Sequence, residues 1–345
     1  MSSILGARLS AQLLSTRGAT SPVAVAEHLL AIQAQDFRGV QLAIRARTGG
    51  VGVGDLTRAL TEDRALVITT LNRGTLHLVR GEDYPWLHAL TAPTVLAANT
   101  RRLAQEGVPP ADAERGVAAV VRALGDRGPL GRDEIRPVVR AAGVATDGQA
   151  LVHVLLLAAL RGLIVRGPVV AGRPAFVLTA DWLGASAPVD RDAALAELAR
   201  RYLRGHGPAA AEDLAKWSGL PLRDVRAGVR AITTELAARD DGLLGLVGAP
   251  PPAALPAPRL LGQFDPVLLG WRSREDVVGS HRGIVTTNGV FRPFALVEGR
   301  AAGIWRLRAG RVELTPFATL SASVTDALAS DAEELERYLA NDEAG

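Results

Sequence analysis

Cysteine is absent from this 345-residue chain, which removes disulfides and thiolate metal sites. The six histidines are scattered and form neither an HxxxH nor an HExxH pair, so the spacing of a histidine metal site is missing as well. Lysine is almost absent: Lys216 stands alone among 39 basic residues, and the rest are arginines. That bias reads as the mark of a GC-rich genome rather than of arginine chemistry. No long apolar run exists. The longest, from Val152 to Leu160, contains His153 and is far shorter than the ~20 residues needed to span a bilayer. The opening MSSILGARLS does not read as a signal peptide. Nor is there a P-loop, a GxGxxG or GxSxG turn, or a cluster of metal-spaced carboxylates, which disfavours nucleotide hydrolysis, hydride transfer and serine-hydrolase chemistry. The expectation is a soluble, cytoplasmic protein without cofactor, nucleotide cofactor or membrane partner.

What the chain does have is apolar content, 48%, enough for real cores, and a length that suits two or three domains. Net charge is only +3. Residues 1–110 carry 11 arginines against 8 acids, whereas residues 251–345 carry 10 against 12. A nucleic-acid footprint on such a chain consists of local patches, not a whole-protein field.

The order of elements repeats. Helical patterns at Ala7–Thr16 and from Ser21-Pro22, an N-cap followed by a first-turn proline, lead through a short helix at Asp55–Leu60. A hairpin then joins Leu66–Thr70 to Thr75–Val79 across Asn72-Arg73-Gly74. Helices at 113–124, 132–141 and 149–161 precede a wing-like hairpin around Gly167 to Pro174. Helices at 193–203, 212–216 and 222–238 follow. Gly128-Pro129 and Gly207-Pro208 stand 79 residues apart, each after a long helix and before a short one, as in a divergent repeat of helix-turn-helix units. The Pro/Ala-rich stretch 249–258 reads as a linker. Beyond it, short β runs at 284–286, 294–297, 303–307 and 312–314 alternate with Asn288-Gly289, Glu298-Gly299 and Ala309-Gly310 turns. The fold class is therefore α+β: three tandem winged helices (1–105, 106–190, 191–250), a small antiparallel β domain (259–325), and an acidic C-terminal helix and tail (326–345) whose charges read as a solvated face.

The most informative stretch for chemistry is Gln33-Ala34-Gln35-Asp36. On a helix, residues i and i+2 lie ~200° apart, so two glutamines serving one substrate need an extended or turning backbone. By spacing alone, polar residues at a helix end are the default reading. Arg73, Thr75 and His77 alternate as one strand face would, and Arg45 and Arg47 form another alternating pair; phosphate contact competes with plain solvation for both. Trp271, Arg272, Arg274, His281 and Arg282 combine cations with an aromatic ring in a loop and first strand, which suits DNA contact or base stacking as well as it suits packing. Asp265-Pro266 favours a turn, a structural role. The Asn288-Gly289 hairpin has the shape of a minor-groove wedge. His153, Trp182, Trp217 and Trp305 read as core.

The runs EHLLAIQAQD, LNRGTLHLVRGEDY and LLGQFDPVLLGWRSR, with GRAAGIWRL after them, resemble the bacterial winged-helix DNA glycosylase family, which includes an azinomycin-resistance glycosylase and its crosslink-repair relatives. The likeness runs from about residue 5 to 320. It implies three tandem winged helices with a C-terminal β domain. It also implies hydrolysis of the N-glycosidic bond of N7- or N3-alkylated purines, bulky adducts or interstrand crosslinks among them, in double-stranded DNA. A Gln-hydrophobic-Gln motif marks the family's self-resistance branch, and Gln33 and Gln35 match it. An N7-alkylated purine already carries positive charge and leaves without a general acid, so a carboxamide that orients water or stabilises an oxocarbenium-like sugar suffices. Asp36 is a support at best, with Thr75 and His77. Arg45, Arg47, Arg73, Arg272, Arg274, His281 and Arg282 are the candidate DNA contacts. The likeness implies a monomer, associated with the nucleoid when bound. Two alternatives stay open: a non-catalytic winged-helix DNA-binding protein or regulator, and a damage binder that has lost activity.

Overall fold

Ser21 begins a helix as its spacing predicts: in the computed structural model, which describes residues 3–281, 283–286 and 289–340, its hydroxyl accepts the Ala24 N–H at 3.0 Å. The chain divides into two compact units. One comprises residues 1–56, 195–217 and 221–345, the other 57–194 and 218–220.

The first unit opens with α1 (Ser3–Ala11) and α2 (Pro22–Leu29), which ends where Leu30 turns left-handed at φ 69°. A two-residue strand, β1 (Ile32–Gln33), and helix α3 (Phe37–Arg45) follow. Helix α4 (Val53–Thr61) carries the chain into the second unit.

In the second unit, β2 (Leu66–Leu71) and β3 (Thr75–Arg80) pair antiparallel across a tight turn at Asn72–Gly74. Four helices come next: α5 (Tyr84–Gln105), α6 (Pro110–Arg127), α7 (Arg132–Ala141) and α8 (Ala150–Leu160). Strands β4 (Ile164–Val170) and β5 (Arg173–Leu178) and the short α9 (Thr179–Leu183) complete it. Its strands lie in the order β3-β2-β4-β5. Val117 and Val120 of α6, Ile135 and Val139 of α7, and Leu151 and Val154 of α8 share one buried cluster with Ile164 and Phe176. Just after Gly128-Pro129, Leu130 exchanges backbone hydrogen bonds with Phe176 at 3.1 and 2.9 Å.

The first unit then resumes with α10 (Arg191–His206), α11 (Ala211–Ser218) and α12 (Leu222–Ala231). Helix α12 stops well before the expected residue 238, because Ile232, Thr233 and Thr234 are β-branched and cost a helix side-chain entropy. A two-residue pairing of β6 (Leu236–Ala237) with β7 (Gly245–Leu246) follows. Just after Gly207-Pro208, Ala209 exchanges bonds with Leu244 at 3.0 and 2.8 Å. The two Gly-Pro pairs thus introduce equivalent lone bridges, each set between a long helix and a short one. The β-rich part is a four-stranded antiparallel sheet of β8 (Arg259–Leu261), β9 (Phe294–Val297), β10 (Arg300–Arg308) and β11 (Arg311–Pro316). Helix α13 (Glu275–Val278) lies before β9, and α14 (Ala322–Ala340) closes the chain. At Glu298-Gly299 and Ala309-Gly310 both residues have positive φ, the conformation of the tightest hairpin turns.

Several expectations need correction. The alternation seen at Arg45 and Arg47 is no strand; α3 ends at Arg45. Helix α5 went unread because Pro85 and Pro93 interrupt its pattern, although the first suits a first helical turn. Helix α14 is not a solvated strip: Leu328 and Leu335 are buried with Leu42, Leu260 and Trp305, Asp331 pairs with Arg45, and Glu334 pairs with Arg17 at 2.6 Å. His153 is half-buried rather than core, with its Nδ1 2.7 Å from Asn99 Oδ1. Trp271 is packed, not presented: its indole N–H donates to His206 O at 2.9 Å. Among the described residues no helix is long and apolar enough to cross a membrane.

His206 lies at the centre of an aromatic cluster in the first unit. It stacks on Tyr202 at 4.8 Å, with Trp217 and Trp271 rings at 5.4 and 6.1 Å. Burial holds its pKa down to about 3, and burial does the same to His77 in the second unit. Both rings stay neutral in the folded chain, and unfolding lets them take up protons below the ordinary histidine range. Stability is therefore level above about pH 6.5 and falls as pH drops toward 3. Between about pH 7 and 5 the loss is about 2 kcal/mol for each such ring. Urea unfolding at the two pH values tests this: His206→Phe should lose less than wild type by one ring's share, and equal losses would contradict it.

Candidate active site

The QAQ segment sits where one helix has stopped and the next has not begun. Leu30 breaks α2, and Ile32–Gln33 is extended. Asp36, also extended at φ −125° and ψ 124°, caps α3 by accepting the Gly39 N–H at 2.6 Å. The non-helical backbone that two cooperating glutamines require is thus present. Ala34 is buried, Gln33 is half-buried and Gln35 is exposed. Neither carboxamide makes a side-chain hydrogen bond among the described residues, which leaves C=O and N–H₂ groups available to an incoming molecule. Asp36 commits its carboxylate to the helix cap.

Two contacts fix where α3 starts. A Cβ on Gly39 would stand 2.5 Å from the Gln263 carbonyl oxygen, and one on Gly262 would stand 2.9 Å from Leu42 Cβ; the backbones meet because both side chains are missing. Beside them lies a cleft of about 260 Å³ lined by Asp36, Arg38, Gln263, Trp305 and Arg306 among others. Arg38 and Arg306 were not anticipated, and no periodicity in the sequence singles them out.

Arg45 and Arg47, expected as DNA contacts, turn inward. Arg47 and Asp265 have no exposed side-chain surface. The guanidinium donates to Asp265 Oδ2 and Oδ1 at 2.9 and 2.8 Å, to Ala43 O at 2.9 Å and to Gln12 Oε1 at 3.0 Å. Arg45 donates to Asp331 Oδ1 at 2.7 Å and to its backbone oxygen at 2.9 Å. Neither is free to meet a phosphate. The Phe264-Asp265-Pro266 turn is structural, as its sequence suggests, and Asp265 also accepts the Val267 N–H at 3.0 Å.

In the second unit, Arg73 belongs to the turn, at φ 56°, and not to a strand face with Thr75 and His77. The Thr75 hydroxyl donates to Asn72 O at 3.1 Å, and His77 Nδ1 lies 2.9 Å from Thr75 O. His77 is buried and neutral. In the first unit, Arg272 is exposed, and its N–H donates to Asp213 Oδ1 at 3.0 Å. Arg274 donates its Nε–H to Leu268 O at 2.9 Å and covers the Phe291 ring at 5.0 Å. His281 is exposed and stacks on Phe317 at 4.1 Å. Arg282 and Asn288 lie outside the described residues.

The chain is a mixed helix and antiparallel-sheet protein with a carboxamide pair that makes no side-chain hydrogen bond among the described residues. Comparison with known proteins gives its class. The family model described as DNA glycosylase AlkZ-like matches residues 26–338, and the chain belongs to that family. It is a DNA glycosylase, an enzyme that hydrolyses N-glycosidic bonds. It is similar to an interstrand DNA cross-link repair glycosylase of Streptomyces sahachiroi, with 28% identity over 333 residues, covering 90% of this chain and 88% of the relative. Its fold resembles the solved Streptomyces sahachiroi DNA glycosylase AlkZ, with a TM-score of 0.78 and 26% identity over 97% of this chain and 95% of that one.

Substitutions at two positions separate scaffold from chemistry. Asp36→Ala should lower stability by about 1 kcal/mol, while Asp36→Asn, which keeps an acceptor at the cap, should be near neutral. Arg47→Ala should cost about 3–5 kcal/mol because it strands a buried carboxylate. Thermal or urea unfolding measures both, and a neutral Arg47→Ala would show that the buried pair contributes little to stability.

Proposed function

We propose that this chain excises N7- or N3-alkylated purines from double-stranded DNA, bulky adducts and interstrand crosslinks included, with Gln33 and Gln35 as its catalytic residues. The supporting observation is the non-helical QAQ segment, with two carboxamides that bond to nothing among the described residues and a neighbouring carboxylate already committed to a helix cap. The Streptomyces relative, an interstrand DNA cross-link repair glycosylase, supports the inclusion of crosslinks.

The reaction asks little of the protein's titrating groups. When the C1′–N bond breaks, its electron pair passes to the purine and discharges the cation that alkylation placed on the ring. Water oxygen adds to C1′, its proton passes to bulk water, and an abasic site remains. The sugar gains positive charge in the transition state, which a carboxamide oxygen stabilises by its dipole. A second carboxamide oxygen accepts a hydrogen bond from the attacking water and holds it in line.

Three tandem winged helices would carry this site. The lone bridges after Gly128-Pro129 and Gly207-Pro208, each followed by a short helix, a second helix and a β hairpin, support such units over 106–190 and 191–250. Arg73, Arg272, Arg274, His281 and Arg282 are the DNA contacts of this reading, and Thr75 and His77 shape the second unit's hairpin. The protein acts as a monomer.

Base release from a 7-methylguanine duplex, wild type against Gln33→Ala/Gln35→Ala, tests the assignment. The double variant should be slower by about 10²–10³-fold or more. An unchanged rate would remove these residues from the chemistry. No release by wild type, there or from a crosslinked duplex, would leave a DNA-binding protein.

A further inference from the structure

Within the first unit, α13, residues after it, Arg292 ahead of β9 and the start of β10 surround a cleft of about 870 Å³, separate from the one beside α3. Its walls include Arg274, Arg292, Arg300 and His281, and one carboxylate, Glu275. The basic groups come from three different places. Arg274 precedes α13. Arg292 follows a hairpin closed by Thr286 N–H to Val290 O and Arg292 N–H to Ile284 O, at 2.9 and 2.8 Å. Arg300 starts β10.

Pairing sets these arginines apart. On the same sheet Arg306 and Arg308 meet Glu313, and Arg311 meets Glu336. Arg274, Arg292 and Arg300 form no ion pair among the described residues. Arg292 and Arg300 are exposed, whereas Arg274 is half-buried, and burial lowers its pKa with no anion to offset the cost. The sequence from 277 to 297 contains no acid at all. Three cations converging on one depression repel one another unless an anion enters. A depression this large exceeds a single phosphate and suits a stretch of sugar-phosphate chain. The stacked His281–Phe317 pair supplies ring surface beside it.

We infer that this cleft holds the phosphodiester backbone of the DNA substrate, with Arg292 and Arg300 as phosphate ligands and Arg274, fixed by Leu268 and Phe291, as the inner cation. The inference rests on the DNA reading above and adds a backbone clamp in the β domain.

The test is duplex affinity as a function of KCl, measured by fluorescence anisotropy on undamaged DNA. Wild type, Arg292→Gln/Arg300→Gln and a charge-matched control, Arg311→Gln/Arg337→Gln, are compared. Each lost phosphate contact flattens the slope of log K against log [KCl] by about 0.9. The cleft variant should therefore lose about 1.8 in slope and about tenfold or more in affinity at ~0.1 M salt, with the control close to wild type. An unchanged slope in the cleft variant, or an equal loss in the control, overturns the clamp. Wild type that binds with a steep slope the cleft variant flattens, yet releases no base, keeps the clamp and removes the excision reading. Base release by wild type with an unchanged slope in the cleft variant does the reverse.

Discussion

The first unit depends on the pair between Arg47 and Asp265. Both side chains are fully buried, so each has lost its water, a cost of several kcal/mol per ion that only good geometry recovers. The geometry is good: two charge-assisted bonds within the pair, with Ala43 O, Gln12 Oε1 and the Val267 N–H taking further hydrogen-bonding capacity. Through it the end of α3 is joined to the turn that follows β8, 218 residues on. The approach of Gly39 to the Gln263 carbonyl lies on that same junction. The start of α3, and with it the QAQ segment, is thus set by contacts with the C-terminal β part, not by the N-terminal helices alone.

This reverses the usual reading of an arginine-rich chain. Arg45, Arg47 and Arg259 point inward: Arg45 holds Asp331 of α14, and Arg259 donates to Leu14 O and Ala46 O at 3.1 and 2.7 Å. Asp331 in turn accepts the Leu260 N–H at 2.7 Å, so the acidic helix is tied to the sheet edge. The guanidinium suits such work because its planar fork satisfies several acceptors at once. Arg274, Arg292 and Arg300, by contrast, form no ion pair among the described residues and line the cleft beside α13.

Local rules made much of the fold legible. Ser21-Pro22 predicted a cap, Arg132–Ala141 a helix, Asn72-Arg73-Gly74 a turn, and the glycines at 299 and 310 hairpins, because each outcome depends on residues near in sequence. The misses are tertiary. Helix α5 carries Pro93 in its interior and packs on α8; α12 ends at a β-branched run, and α14 is held by ion pairs to residues far away in sequence. At the candidate site, an extended or turning backbone at Gln33 and Gln35 was a requirement the sequence posed, and Gln33 is extended while Gln35 lies in a bend. The burial of Arg45 and Arg47 was invisible to it, since their acids lie more than two hundred residues away. A stretch without acids from 277 to 297 was the one trace of Arg292 that the sequence offered.

An excision that draws its driving force from a cation already on the base, and its catalysis from amides, has no proton to wait for. The single-turnover rate of base release from an N7-alkylated purine, followed from about pH 5.5 to 7, tests that most directly, because histidines and raised carboxylates titrate there and carboxamides do not. The account predicts a flat profile at saturating enzyme. A rate that rises or falls along a single titration curve would contradict it and place an acid or base in the chemistry that Gln33 and Gln35 are held here to perform.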